Sequence, residues 1–147
     1  MKPQLPKAVK LGQDEVSQIG LGTALVGYAP LSRGFLSGTL SNASSESLDP
    51  RDPRRRFPRF QGENFKKNAQ LVEQLRAIAL KKGISPSQLA IAWVLAQGDD
   101  IISLVGPKQR AHLRDSLGAI DARLSEEDLE ELNRIMPKGV AAGARYP

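Results

Sequence analysis

The side chains able to do chemistry in this sequence are few and unevenly placed. There is one histidine, His112, and no cysteine. Without cysteine there is no thiolate nucleophile, no disulfide framework, no Cys-ligated zinc and no iron–sulfur cluster. A single histidine also leaves a transition-metal site short of its usual ligands, so no metal is expected. His112 reads as an exposed or half-exposed side chain rather than a general acid. The other concentration of functional groups is basic. Five arginines fall within Arg51-Asp-Pro-Arg-Arg-Arg-Phe-Pro-Arg59, and clustered arginines can neutralise nucleic-acid phosphates. Only Phe57 and Phe60 interleave them, so a charged loop is expected and no nucleic-acid partner. That cluster carries nearly all of the formal charge of +5, which arises from 21 Lys+Arg against 16 Asp+Glu.

The elements that would position functional groups follow from periodicity and punctuation. A chain of 147 residues with 40% hydrophobic and 25% charged content is that of one soluble globular domain. Residues 1–20 are broken by proline and glycine, with a short helical turn expected at Asp14-Glu15-Val16. Ala24-Leu-Val-Gly-Tyr28, ending at Pro30, has the pattern of a strand buried on both faces. Residues 37–63 are rich in Ser, Asn, Asp, Pro, Arg and Gly, the composition of a long irregular loop. From Asn64 a helix is predicted, with Phe65, Val72, Leu75, Ile78 and Ala79 on its apolar face and Gly83 as its stop. Ser85-Pro-Ser-Gln88 combines an N-cap serine, a first-turn proline and a capping-box glutamine. The helix it opens, through Leu89-Ala-Ile-Ala-Trp-Val-Leu-Ala96, is apolar nearly all round and should be buried. Ile101-Ile-Ser-Leu-Val105 reads as a second buried strand, ended by Gly106-Pro107, and a helix follows through Leu113 and Leu117. Ser125-Glu-Glu-Asp128 caps a last helix carrying Leu129, Leu132 and Ile135, and the tail from Pro137 is irregular. No internal repeat is present. The order of strands and helices predicts an α/β fold with a parallel sheet, yet two strands are too few to cover both faces. The polar, proline-broken start and the absence of any apolar run near the ~20 residues of a membrane span lead us to expect a cytoplasmic protein without membrane contact.

One string carries a resemblance. Tyr28-Ala-Pro-Leu-Ser-Arg-Gly-Phe-Leu-Ser-Gly38 resembles the aldo/keto reductases, whose sixth barrel strand commonly ends in a Tyr-Ser-Pro-Leu-Gly-Arg-Gly-like motif. Arg59-Phe-Gln-Gly-Glu-Asn-Phe65, Ser85-Pro-Ser-Gln-Leu-Ala-Ile-Ala-Trp93, Gly106-Pro-Lys-Gln-Arg-Ala-His-Leu113 and Ala142-Gly-Ala-Arg-Tyr-Pro147 extend it, in order and at similar spacing. The resemblance implies a partial (β/α)₈ TIM barrel and NADPH-dependent reduction of aldehydes and ketones. Residues 21–147 correspond to the C-terminal part of such a domain, from the sixth strand onward, and 1–20 form an atypical N-terminal segment. Gln18-Ile-Gly-Leu-Gly-Thr23 is a distorted echo of the Gly-Ile-Gly-like turn that leads into that strand. Whole barrels take about 250 residues, so a truncated product, a split gene or a partial gene model is expected. The family's Asp, Tyr, Lys and His tetrad belongs to earlier strands, so no catalytic residue is assigned here. The chain by itself is expected to supply binding rather than proton transfer.

By the same resemblance, Tyr28 stacks on the nicotinamide ring, its alternative being a core tyrosine that closes a strand. Ala29, Leu31, Ser32 and Arg33 match positions that touch the cofactor's pyrophosphate. A turn beyond a strand offers N–H donors there, and Arg33 adds a fork-shaped cation. Ala29 and Ser32 stand where Ser and Gly are usual. After the second strand, Gly106, Lys108 and Arg110 match the segment that holds the adenosine 2′-phosphate, which favours NADPH/NADP+ over NADH, and a helix N-terminus just after Gly106 would favour the same anion. Asp115 and Ser116 occupy the adenine-side positions where Glu and Asn are common, and Pro107 replaces a common threonine, so weaker adenine binding is predicted. The plain alternative for this segment is an amphipathic helix with surface charges. Carbonyl substrates are the expected small-molecule partners. Unpaired strand edges predict self-association or pairing with a missing N-terminal half, or else a noncatalytic nucleotide-binding remnant.

Overall fold

The computed structural model describes two three-residue strands near the N-terminus, residues 25–40 and residues 48–147. The first strands, β1 (Val9–Leu11) and β2 (Asp14–Val16), pair antiparallel with Val9 opposite Val16. The helical turn expected at Asp14–Val16 is therefore wrong: the segment is extended because it finds a ladder partner across a short connection.

The second sheet positions the site. β3 (Leu25–Tyr28) and β4 (Ile101–Leu104) pair in parallel, with Leu25 opposite Ile101 and Tyr28 opposite Leu104. Both strands thus end at the same edge, and the segments that follow them leave side by side. Between the strands run α1 (Gly62–Lys81) and α2 (Pro86–Leu95), which supply the crossover that a parallel pair requires. Gly27 permits α2 to sit close on the sheet, since a Cβ there would come within 3.1 Å of Val94 Cγ1. The helix starts and stops match the residues that predict them. Ser85 Oγ accepts from the Gln88 N–H at 3.0 Å while Gln88 Oε1 accepts from the Ser85 N–H at 3.1 Å. Gly83, at φ +67°, donates to the Leu80 carbonyl as Ile84 donates to that of Ala79, closing α1 in a Schellman turn. α3 (Arg110–Leu117) and α4 (Glu126–Ile135) complete the chain, with Ser125 and Asp128 forming the reciprocal cap of α4.

The apolar face of α1 is shared by two cores. Toward its start, Phe65, Ala69 and Val72 pack with Phe35, Leu48 and Phe60, and toward its end Leu75, Ile78 and Ala79 pack with Leu89, Ala90 and Leu132. Two ring contacts tie these segments together, Phe35 against Phe60 and against Phe65 at 5.1 Å each. Burying such rings stabilises by about 2 kcal/mol each, which fastens the 48–60 segment to α1.

Two expectations are corrected here. The 37–63 region is not an irregular loop in its described part: it carries short 3-10 helices at Pro53–Arg56 and Pro58–Phe60, and another at Phe35–Ser37 precedes it. Pro53 and Pro58 preset the first φ of the two later turns, and Asp52 Oδ1 accepts from the Arg54 N–H at 2.9 Å. Residues 41–47 of that region lie outside the described residues. The strands are also not buried on both faces. Gly27, Ile101 and Ser103 lie on the partly covered side toward α2, whereas Val26, Tyr28, Ile102 and Leu104 are 51%, 59%, 54% and 52% exposed. A continuous apolar strand pattern records two covered faces, and the described residues cover only one of them, in part. Among the described residues, no helix is long and apolar enough to cross a membrane.

Candidate functional site

Parallel strands point their C-terminal ends one way, and in α/β folds that edge is where ligands bind. Here it gathers the turn 29–34 after β3 and the segment 105–110 after β4. The β3 turn is unusual in its backbone. Ala29, Ser32 and Arg33 have φ of +55°, +48° and +58°, a left-handed conformation that side chains disfavour, and Gly34 follows at +86°. It is held by Ser32 N–H to Ala29 O at 2.9 Å, Gly34 N–H to Leu31 O at 2.9 Å and Leu36 N–H to Leu31 O at 3.1 Å. Leu31 turns inward and packs on the core beside α2 and α4, so its side chain anchors the turn.

The arginine-rich segment braces this turn from outside. Asp52 accepts both Nε and Nη2 of Arg54, the latter at 2.6 Å, and Arg54 Nη1 reaches the Arg33 carbonyl at 3.2 Å. The Arg54 guanidinium holds the Asp52 carboxyl below its ordinary value of 3.8, and the Lys108 charge lowers it further. The cluster otherwise makes local staples, Arg51 to Asp49 and Arg55 Nη1 to the Leu48 carbonyl at 3.5 Å, and one long-range link, Arg59 Nε to the Gly143 carbonyl at 3.3 Å.

Tyr28 ends β3 with its ring largely exposed, so it is not the core tyrosine of the alternative reading. Arg33 follows in the turn beyond it. Its guanidinium carbon lies 4.2 Å from the Phe57 ring centre and 4.9 Å from that of Tyr146. On the β4 side, Gly106 is exposed and open around its Cα, and Lys108 and Arg110 are exposed and form no ion pair among the described residues. The helix expected just after Gly106 begins only at Arg110, because Gln109 is extended at φ −127°, ψ 147°. Gln109 makes no side-chain hydrogen bond to the first turn, which leaves the N-terminal N–H groups of α3 facing outward. Asp115 is half-buried, whereas Ser116 is buried and its Oγ donates to the His112 carbonyl at 2.9 Å. His112 itself is exposed on α3.

Three participants lie outside the predicted set: Phe57, Arg145 and Tyr146. Asn68, buried in α1, exchanges two hydrogen bonds with Ala142, at 3.0 and 2.8 Å, and so brings the tail across the molecule. Gly143 passes the 58–59 backbone so closely, at φ +84°, that a Cβ would sit 3.0 Å from Pro58. Arg145 Nη2 then meets the Tyr28 carbonyl at 3.4 Å. The Arg-Tyr pair near the terminus was visible as part of a matching string, but sequence spacing places it 117 residues from Tyr28.

A parallel strand pair with helices between its strands, and basic residues exposed beyond its C-terminal edge, define an α/β protein. Comparison with known proteins agrees. Residues 14–137 match the model of the aldo/keto reductase family. The chain is 42% identical over 123 residues to an aldo-keto reductase of Schizosaccharomyces pombe whose name specifies NADP(+), and 39% identical over 126 residues to a probable aldo-keto reductase of Glycine max. These matches cover 84% and 86% of this chain and 36% of each relative. Among solved structures it is similar to a glycerol dehydrogenase of Gluconobacter oxydans, with a TM-score of 0.69 and 25% identity, over 86% of this chain and 36% of that one. The chain belongs to the aldo/keto reductase family.

Proposed function

We propose that this chain is the cofactor-holding part of an NADPH-dependent oxidoreductase that reduces aldehydes and ketones to alcohols, folded as the C-terminal portion of a (β/α)₈ barrel. The observation that carries this reading is the register of β3 and β4, which sets Tyr28 beside the end of β4 and so brings the 29–33 turn next to 106–110. The residues present fit a dinucleotide. An exposed ring at a strand end offers a flat face to nicotinamide. The turn and Arg33 offer donors to a pyrophosphate, and Lys108, Arg110 and the open start of α3 offer charge to a 2′-phosphate. Asp115 is the adenine-side acid of this reading, and Ser116 its least available member because its hydroxyl already serves its own helix. When bound, the cofactor supplies hydride. The protein's part in this chain is to hold the ring at one orientation, so that the transfer geometry is set before reaction. No residue here is assigned to donate the proton.

Titration of the purified chain with NADPH and NADH tests the reading. Saturable binding is expected, with NADPH favoured, and Lys108→Ala with Arg110→Ala should reduce that preference by about tenfold. Equal affinity for both cofactors would remove the 2′-phosphate role of this pair. The exposed sheet face favours a second reading, in which the chain is a noncatalytic barrel segment that assembles with a complementary partner. Measurable aldehyde reduction by the isolated chain, lost in Tyr28→Ala, would exclude that second reading and the claim that chemistry requires further strands. A cytoplasmic location is part of the first reading, consistent with a cysteine-free sequence.

A further inference from the structure

Among the described residues, the Arg33 guanidinium is held by two rings. Phe57 and Tyr146 lie 4.2 and 4.9 Å from its central carbon, and their centres are only 6.2 Å apart, so the rings form a corner rather than a sandwich. Among the described residues, no carboxylate or carbonyl pairs with the Arg33 side chain. The nearby acid Asp52 is consumed by Arg54. An arginine with two walls fixed and its remaining N–H edge free has lost the rotamer freedom that anion binding would otherwise have to remove. One wall comes from the 3-10 segment and the other from the tail, which Asn68 and Gly143 bring into place.

We infer that Tyr146, with Phe57, is a positioning residue that clamps Arg33 for a phosphate or pyrophosphate group, so that the 142–146 segment completes the anion site. Arg145 fastens the same clasp, through the Tyr28 carbonyl at 3.4 Å and over the Tyr28 ring at 5.7 Å. The clamp rests on the reading above for its natural ligand, but its chemistry requires only the phosphate.

Inorganic pyrophosphate is therefore the first probe, read by the Arg33 Nε–H resonance of the full chain. In the parent, this side chain should show an aromatic ring-current shift and move saturably with pyrophosphate. Tyr146→Ala should abolish the Tyr146 share of the ring-current shift and weaken pyrophosphate by about threefold. Tyr146→Phe, which keeps the ring and loses the hydroxyl, should restore both. Tyr146 is exposed, so the fold should survive, and Phe57→Leu provides the second wall's test with the same expected direction. Unchanged pyrophosphate affinity in Tyr146→Ala, or an Arg33 resonance that does not respond, overturns the clamp. NADPH separates the two readings. If NADPH fails to bind while the pyrophosphate results hold, the cofactor assignment falls and the clamp stands. If the parent and Tyr146→Ala bind NADPH equally, the clamp falls and the cofactor assignment stands.

Discussion

Ser32 and Arg33 occupy left-handed backbone at φ +48° and +58°, a conformation that costs an L-residue on the order of 1 kcal/mol. At Ser32 the cost brings no visible compensation from its side chain, so Ser32→Gly should raise stability by about 1 kcal/mol, read as a higher urea midpoint at unchanged slope. A lower midpoint would mean that the serine side chain stabilises the turn by more than its backbone costs. Arg33 cannot be treated the same way, because its guanidinium contacts rings from two other segments. Strain at the 29–33 turn is the expense of pointing consecutive peptide groups past the end of β3, where a ligand would lie. The sequence reveals this indirectly: Ser32 stands where the resembling family has glycine, and the positive φ explains why glycine suits that place.

Elements are joined to one another by a small number of polar links laid over the two cores. Asp128 is the clearest: it accepts the Ser125 N–H at 2.7 Å in the cap of α4 and Lys82 Nζ at 2.6 Å just beyond α1. The Lys82 ammonium, followed by the Ser125 N–H, holds its carboxyl below the usual 3.8. A depressed folded pKa makes the stabilisation complete above the unfolded value and lost as pH falls through the folded one. Asp128→Asn should therefore cost about 1 kcal/mol near neutrality, and the difference from the parent should shrink in thermal melts as pH falls below the usual 3.8. A difference that persists into strong acid would assign the cost to cap geometry rather than charge. Helix starts and stops were legible because each rests on residues within four positions: Ser85 with Gln88, Ser125 with Asp128, Gly83 with Leu80 and Ala79. The 3-10 turns at 53–60 were not, since their order depends on Phe60 and Leu48 finding a core contributed by α1.

For the molecule as a whole, the uncovered side of the β3–β4 pair dominates. Val26, Tyr28, Ile102 and Leu104 form one exposed apolar patch, bordered by strand edges with further pairing capacity. Concentration-dependent self-association is expected by sedimentation. Ile102→Glu should weaken it at least about tenfold, since the charge would have to be desolvated at an apolar contact. A strictly monomeric parent at high concentration would remove this expectation. Because Tyr28 belongs to the same patch, association through it should compete with NADPH, and the two measurements constrain each other.

Local order and family membership were determined by the sequence alone. Caps, apolar periods and the Tyr28–Gly38 string depend on neighbours along the chain, and they placed α1, α2, α4 and both parallel strands within a few residues. Tertiary structure decided what long-range proximity requires. It decided that Asp14–Val16 extends because Val9–Leu11 lies opposite. It likewise set the strands' covered side, because among the described residues α2 packs on one face of them. It placed Tyr146 against Arg33 through Asn68 and Gly143, an association between residues more than a hundred positions apart that no spacing rule encodes. Short-range hydrogen bonds leave marks in residue order, whereas a ring meeting a guanidinium across the fold leaves none until the backbone brings them together.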